Sequence, residues 1–105
     1  MKNKKKNQKA PEKLRSYHAL VNDGAYVFSS IEGEKDHFIF MLIDTQARQT
    51  TAVDFIDTND SKELTARILG FLEAYVPDFE WLTPISADHF RDMYFKLIVS
   101  KYTAA

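Results

Sequence analysis

Hydrophobic spacing in the first quarter of the chain is typical of a helix. One helical face would carry positions i, i+3, i+4 and i+7, which are occupied by Leu14, Tyr17, His18 and Val21. Pro11 suits the first turn of such a helix, and Asn22-Asp23-Gly24 reads as a stop signal. The pattern therefore predicts a first helix over residues 11–22.

The next three segments have the composition of strands. They cover residues 25–31, 37–44 and 50–56 and are separated by short polar turns. The middle segment contains Phe38-Ile39-Phe40-Met41-Leu42-Ile43, which is apolar at every position and is typical of a strand covered on both faces. Short connections favour an antiparallel meander with this strand in the middle.

Two more helices are predicted over residues 61–75 and 87–102. Asp60-Ser61-Lys62-Glu63 has the form of a capping box, and Ser86 suits the N-cap of the second helix. Residues 78–84 between them are predicted to be a loop. The predicted fold is α+β: an N-terminal helix, a three-stranded antiparallel meander, then two C-terminal helices packed on one face of the sheet, in the order α-β-β-β-α-α.

Apolar residues occupy two sides of the last helix, more surface than so short a chain has elements to cover. Such a surplus in a small protein often marks a partner interface. The residues that we expect to contact a partner are Phe95, Val99 and Tyr102 on this helix and Phe79 and Trp81 in the preceding loop. The alternative is that these side chains fill the protein's own core.

Charge is divided unequally along the chain. Residues 1–15 carry seven bases and one acid, a net charge of +6, whereas residues 16–105 carry seven bases and fourteen acids, a net charge of −7. We expect residues 1–10 to be a disordered basic arm and residues 11–105 to be one domain. The lysines that could neutralise nucleic-acid phosphates are Lys2, Lys4, Lys5, Lys6 and Lys9. The alternative is a solubilising tail without a ligand.

Acidic residues of the body form two groups in the sequence. Glu32, Glu34 and Asp36 lie in the first hairpin loop, and Asp44, Asp54, Asp57 and Asp60 lie near the ends of the second and third strands, which we expect opposite that loop. Asp54, Asp57 and Asp60 of the second group could hold a metal ion, but residues three apart on a regular strand, such as Asp54 and Asp57, point to opposite faces. We therefore expect no metal site.

The remaining residues offer no recognisable catalytic motif. The chain has no Cys, none of its three His stands in a zinc-binding spacing, and no Ser lies in a nucleophile elbow. Its longest apolar run is six residues, and no signal-peptide core follows the lysines. We expect a cytoplasmic protein without a cofactor, a small-molecule substrate or a membrane partner.

These observations favour a small, non-enzymatic interaction protein. It would bind a protein partner through an apolar surface on the sheet or the last helix, and it would also form a homodimer. One alternative is a nucleic-acid-associated accessory protein that uses the lysine arm. Another is an acidic inhibitor of a nucleic-acid-binding enzyme, of the kind that phages and mobile elements carry.

Overall fold

Residues 16–103 are described by a computed structural model of the chain, and their side chains are described except at positions 98 and 100–103. These residues form five strands and two helices. The strands are β1 (Tyr17–Val21), β2 (Tyr26–Glu32), β3 (His37–Asp44), β4 (Gln49–Asp57) and β5 (Leu82–Ile85). The helices are α1 (Ser61–Tyr75) and α2 (Ala87–Thr103).

All five strands form one antiparallel sheet in the order β4-β3-β2-β1-β5. Strands β1 to β4 follow one another as hairpins. Strand β5 then pairs with β1, so β4 and β5 occupy opposite edges. Helix α1 joins these two edges and therefore crosses one face of the sheet. The described residues make one small α+β domain.

The hydrophobic core lies between α1 and the sheet face that it crosses. Phe28 of β2 and Phe40 of β3 are fully buried, and their ring centroids lie 5.8 and 5.5 Å from that of Phe71 of α1. Such aromatic pairs add about 0.5–1.5 kcal/mol each beyond their buried area. Helix α1 begins where predicted, because the Asp60 carboxylate accepts a hydrogen bond from the Lys62 backbone N–H at 3.0 Å.

Helix α2 packs on the opposite sheet face. His18 of β1 and Ser29 of β2 are cross-strand partners that point away from α1. The His18 ring is stacked on Phe90 of α2 with centroids 4.3 Å apart, and its Nδ1 lies 3.2 Å from the Ser29 hydroxyl. Burial lowers the pKa of His18, and the Arg91 charge lowers it further. The buried His18 therefore belongs to the contact between α2 and the sheet.

The predicted helix over residues 11–22 is wrong, because residues 17–21 form β1; residues 11–15 lie outside the described part of the chain. The segment satisfies the period of a strand as well as that of a helix, and β1 gains hydrogen bonds from β2 on one side and β5 on the other. Asn22-Asp23-Gly24 is a hairpin turn with positive φ values of 49°, 59° and 95°.

The predicted helix–meander–helix–helix arrangement is also wrong at β5 and in the placement of the helices. The loop predicted over residues 78–84 contains the start of β5, whose Pro84 lacks an N–H and is tolerated because β5 is an edge strand. Helices α1 and α2 lie on opposite faces rather than on the same face. The α+β content and the helix over residues 61–75 are confirmed. Within residues 16–103, neither helix is long and apolar enough to cross a bilayer.

Candidate functional site

Part of the sheet face that carries α2 presents neighbouring apolar side chains to the surface. Strand pairing places Ile39 of β3 between Ile31 of β2 and Phe55 of β4, and it places Met41 of β3 opposite Val53 of β4. Directly paired residues share a face, and alternation points all five away from α1. These five residues, Ile31, Ile39, Met41, Val53 and Phe55, are called the open face below.

The open face is accessible to a partner. Phe55 is 71% exposed and Val53 is 47% exposed, while Ile39 and Met41 are half-buried between them. If a Phe side chain offers about 200 Å², Phe55 alone presents roughly 140 Å². Single exposed apolar residues are common on protein surfaces, but a contiguous group is typical of a binding site.

Strand β4 borders the open face and is an edge of the sheet, but this edge is partly closed. The Thr58 N–H donates to the Asp36 carbonyl, so the amide of residue 58 points toward β3. Because successive amides of a strand alternate in direction, the amide of residue 56 also points toward β3, whereas that of Phe55 points away from the sheet. That amide donates to the Asp54 carboxylate at 2.9 Å. An outward amide that is already bonded is a poor start for an added strand. A partner therefore has better access to the face than to the edge.

Carboxylates cluster at one end of the sheet, on both of its faces. Asp57 and Asp60, predicted opposite the first hairpin loop, lie at the same end as that loop, because the β2–β3 turn lies beside the end of β4; Asp44 lies at the other end, as predicted. Residues 32–37 and 57–63 together carry six acids and two lysines, a net charge of −4 with His37 neutral. The acids of this region, called the acidic end below, are Glu32, Glu34, Asp36, Asp57, Asp60 and Glu63.

A histidine–carboxylate pair joins the open face to the acidic end. His37 of β3 and Asp57 of β4 are cross-strand partners on the same face as Ile39 and Phe55, and His37 Nδ1 lies 2.5 Å from Asp57 Oδ1. This hydrogen bond is the main cause that raises the pKa of His37. The charges of Asp57, Glu34 and Asp36 raise it further against an opposing effect of desolvation.

A shallow depression of about 300 Å³ lies where these two regions meet. Its exposed lining is almost entirely apolar and includes Ile39 and Phe55, while Glu34, His37 and Asp57 contribute only a small polar part. The depression is thus an apolar surface with an aromatic ring, and carboxylates lie beside it without forming much of its lining. Such a lining suits a long side chain with an apolar stem and a positive head.

The residues predicted to contact a partner lie in different surroundings. Phe79 packs against the core, whereas Trp81 is half-exposed beside the β1–β2 turn, where its carbonyl accepts from the Asn22 N–H at 3.1 Å. Phe95, 65% exposed, and Val99 lie one turn apart on α2. The side chain of Tyr102 lies outside the described part. Of this set, Phe95 and Val99 form one surface.

The predicted nucleic-acid contacts Lys2, Lys4, Lys5, Lys6 and Lys9 lie outside the described residues, so that hypothesis stays a prediction. Within residues 16–103, no three His, Asp or Glu side chains are grouped to hold a metal ion. Asp54 and Asp57 pair with Phe40 and His37, which point to opposite sheet faces.

Sequence reasoning expected an apolar surface on the sheet or the last helix but identified none of the open-face residues. The alternation of Val53 and Phe55 in a predicted strand was a usable signal, but the all-apolar β3 hid which of its side chains remain exposed. The His37–Asp57 pair could not be found, because it depends on the exact register between β3 and β4. Comparison with protein-family models, curated proteins and solved structures returns no match for this chain, so its function has to be argued from this surface.

Proposed function

We propose that the chain is a small, non-enzymatic, cytoplasmic interaction protein that binds a protein partner through the open face. The observation that carries this proposal is the contiguity of the five apolar side chains, with Phe55 71% exposed at their border. Exposed aromatic residues on a rigid sheet are typical anchors of protein interfaces. The non-enzymatic role rests on the sequence, which offers no catalytic motif.

Charge supports a protein as the partner of this surface rather than a nucleic acid. The acidic end borders the open face and would repel phosphates, so the folded domain and the lysine arm would act on different ligands. The position of the carboxylates favours the acidic-inhibitor alternative over the accessory-protein alternative. In that case the partner would be an enzyme whose nucleic-acid site is basic.

The test compares variants that remove exposed apolar side chains from different surfaces. Affinity-tagged full-length chain is used to identify partners in extracts of its source cells, and the affinity of each purified partner is then measured by calorimetry. Phe55→Ser and Val53→Thr should each weaken binding at least fivefold. Leu69→Ser is the matched control, because Leu69 is 41% exposed on α1, away from the open face. Equal losses in all three variants, or none, would contradict the proposal.

A homodimer through α2 is a second proposal, carried by the exposed pair Phe95 and Val99. Two residues spaced i, i+4 on a helix form one apolar strip that a second copy could cover. Light scattering during gel filtration should give twice the monomer mass at high protein concentration. Phe95→Ser should restore the monomer, whereas Phe55→Ser should not. A monomeric mass at all concentrations would exclude this dimer.

A further inference from the structure

We infer that the open face and its depression receive a short cationic segment of a partner protein, in which a lysine or arginine stands beside an apolar residue. This inference rests on the proposed function and names the chemistry of the partner. It assigns the basic side chain to the depression and the apolar residue to the surface formed by Met41, Val53 and Ile31. The argument combines the shape of the surface, its charge and its size.

The depression matches the two ends of a basic side chain. The stem of a lysine or arginine would lie along Ile39 and the Phe55 ring, and its charged head would meet the carboxylates of Glu34 and Asp57. A cation near the face of an exposed phenylalanine gains a further attraction from the ring. A neutral or acidic side chain would lack both charge contacts.

Charge also argues against a second copy as the occupant. Residues 16–105 carry a net charge of −7, and the acidic end contributes −4 of it, with Glu34 and Asp57 among the residues that line the depression. Two copies joined face to face with like ends together would bring these carboxylates toward each other. A basic segment would instead lower the local charge, and the attraction would speed its encounter with the surface.

The size of the surface points to a short segment. Phe55, Val53 and Ile31 together present on the order of 300 Å² of apolar surface, well below the ~800 Å² per partner of a typical protein–protein interface. Because the Asp54 carboxylate already occupies the outward amide of Phe55, the segment would lie across the face rather than extend the sheet at β4.

The experiment measures fluorescence anisotropy of three labelled ten-residue peptides with the full-length chain. The first peptide alternates lysine with leucine and phenylalanine, the second replaces its lysines by glutamate, and the third replaces its apolar residues by serine. The pH is held at 8, because a protonated His37 would compete for the Asp57 carboxylate. The first peptide should bind at least tenfold more tightly than either of the others, and more weakly as salt is raised.

Variants of the full-length chain locate the binding. Glu34→Gln with Asp57→Asn should weaken the first peptide at least tenfold, and Phe55→Ser should weaken it at least fivefold. Glu73→Gln, which removes an exposed carboxylate from α1, and Leu69→Ser are matched controls and should leave binding within twofold. Equal binding of the serine peptide, or an unchanged affinity in the Glu34/Asp57 variant, would overturn the inference.

Two other occupants would be recognised in the same experiment. Replacement of the five arm lysines by glutamine should change peptide affinity less than twofold; a large gain would mean that the chain's own arm occupies the surface. A dimer that Phe55→Ser dissociates would assign the surface to a second copy. Either result overturns the inference. If a natural partner requires Phe55 but contacts it through an acidic or neutral segment, the inference fails while the proposed function stands; if no partner requires Phe55, both fail.

Discussion

Replacement of Phe55 on β4 by Ala should destabilise the protein less than replacement of its smaller neighbour Ile56. Both are replaced by Ala in separate variants. Phe55 is the larger side chain, but it is 71% exposed on the open face, whereas Ile56 is 6% exposed against the core. A side chain's contribution to folding follows the area that it removes from water, not its size.

The structure sets the expected losses of unfolding free energy. About three tenths of Phe55 is covered, or roughly 60 Å² of an aromatic side chain of about 200 Å², which at ~25 cal/mol per Å² corresponds to about 1.5 kcal/mol. Truncation of a buried Ile to Ala costs about 2–5 kcal/mol, because a cavity adds to the lost burial. Both variants lose a similar strand preference, which largely cancels in the comparison. Ile56→Ala should therefore be less stable than Phe55→Ala by about 0.5–3.5 kcal/mol.

Urea denaturation monitored by Trp81 fluorescence and circular dichroism measures both losses, at two protein concentrations tenfold apart. An unchanged slope of free energy against urea shows that the unfolded states are comparable. If Phe55→Ala costs as much as Ile56→Ala, Phe55 is covered in the native protein and the open face is not open. If its cost also grows with protein concentration, the cover is a second copy.

Three further results are expected. NMR titration should place the pKa of His37 above its ordinary value of 6.5, and Asp57→Asn should return this pKa most of the way to 6.5. Because the pKa is raised in the folded state, the His37–Asp57 pair stabilises the fold below pH 6.5 and loses that contribution as pH rises through the folded-state pKa. An unshifted pKa of His37 in the wild type would contradict the geometry. Asp54→Val should free the Phe55 amide and promote self-association, measured by sedimentation velocity. Asp54→Asn keeps an acceptor oxygen for this amide and should self-associate less. Equal self-association of the two variants would show that the charge of Asp54, and not its hydrogen bond, protects the β4 edge. Asn22→Gly keeps the backbone freedom that a φ of 49° requires but removes the side-chain hydrogen bonds to the Asp78 carbonyl and from the Glu80 N–H. Thermal unfolding should therefore show a free energy of unfolding lower by about 1–3 kcal/mol. An unchanged free energy of unfolding would mean that these two hydrogen bonds contribute little to stability.

Local sequence signals predicted the elements that are stabilised locally. Helix α1 starts at a capping residue and ends before Pro77, and both signals lie within a few residues of the ends. The strand at residues 37–44 was confirmed with the same boundaries, because its length and composition suit no other element.

Elements that depend on distant partners could not be predicted in the same way. Strand β1 has both helical and alternating spacing, and its choice is decided by β2 and β5 on its two sides. Four-residue β5 carries a proline and becomes a strand only because β1 offers a free edge. The candidate site depends on the same long-range pairing: the sequence shows that β3 is apolar on both faces, but only the position of α2 decides which part of one face stays exposed.

The return of the chain from β4 to β5 has a consequence for how the protein folds. Strands β1 to β4 can form by closing short turns, whereas β5 has to pair with β1 across a long loop, with Leu82 opposite Val21. Strand β5 follows α1 and precedes α2 in the chain. Its pairing with β1 therefore fixes the C-terminal end of α1 and the N-terminal end of α2, each near the sheet face on which that helix packs. A nascent chain released before residue 82 would keep α1 but lack β5 and α2, so β1 would become an open edge and the sheet face that α2 covers would be exposed. Early termination or cleavage in this region is therefore a route to aggregation rather than to a smaller functional domain.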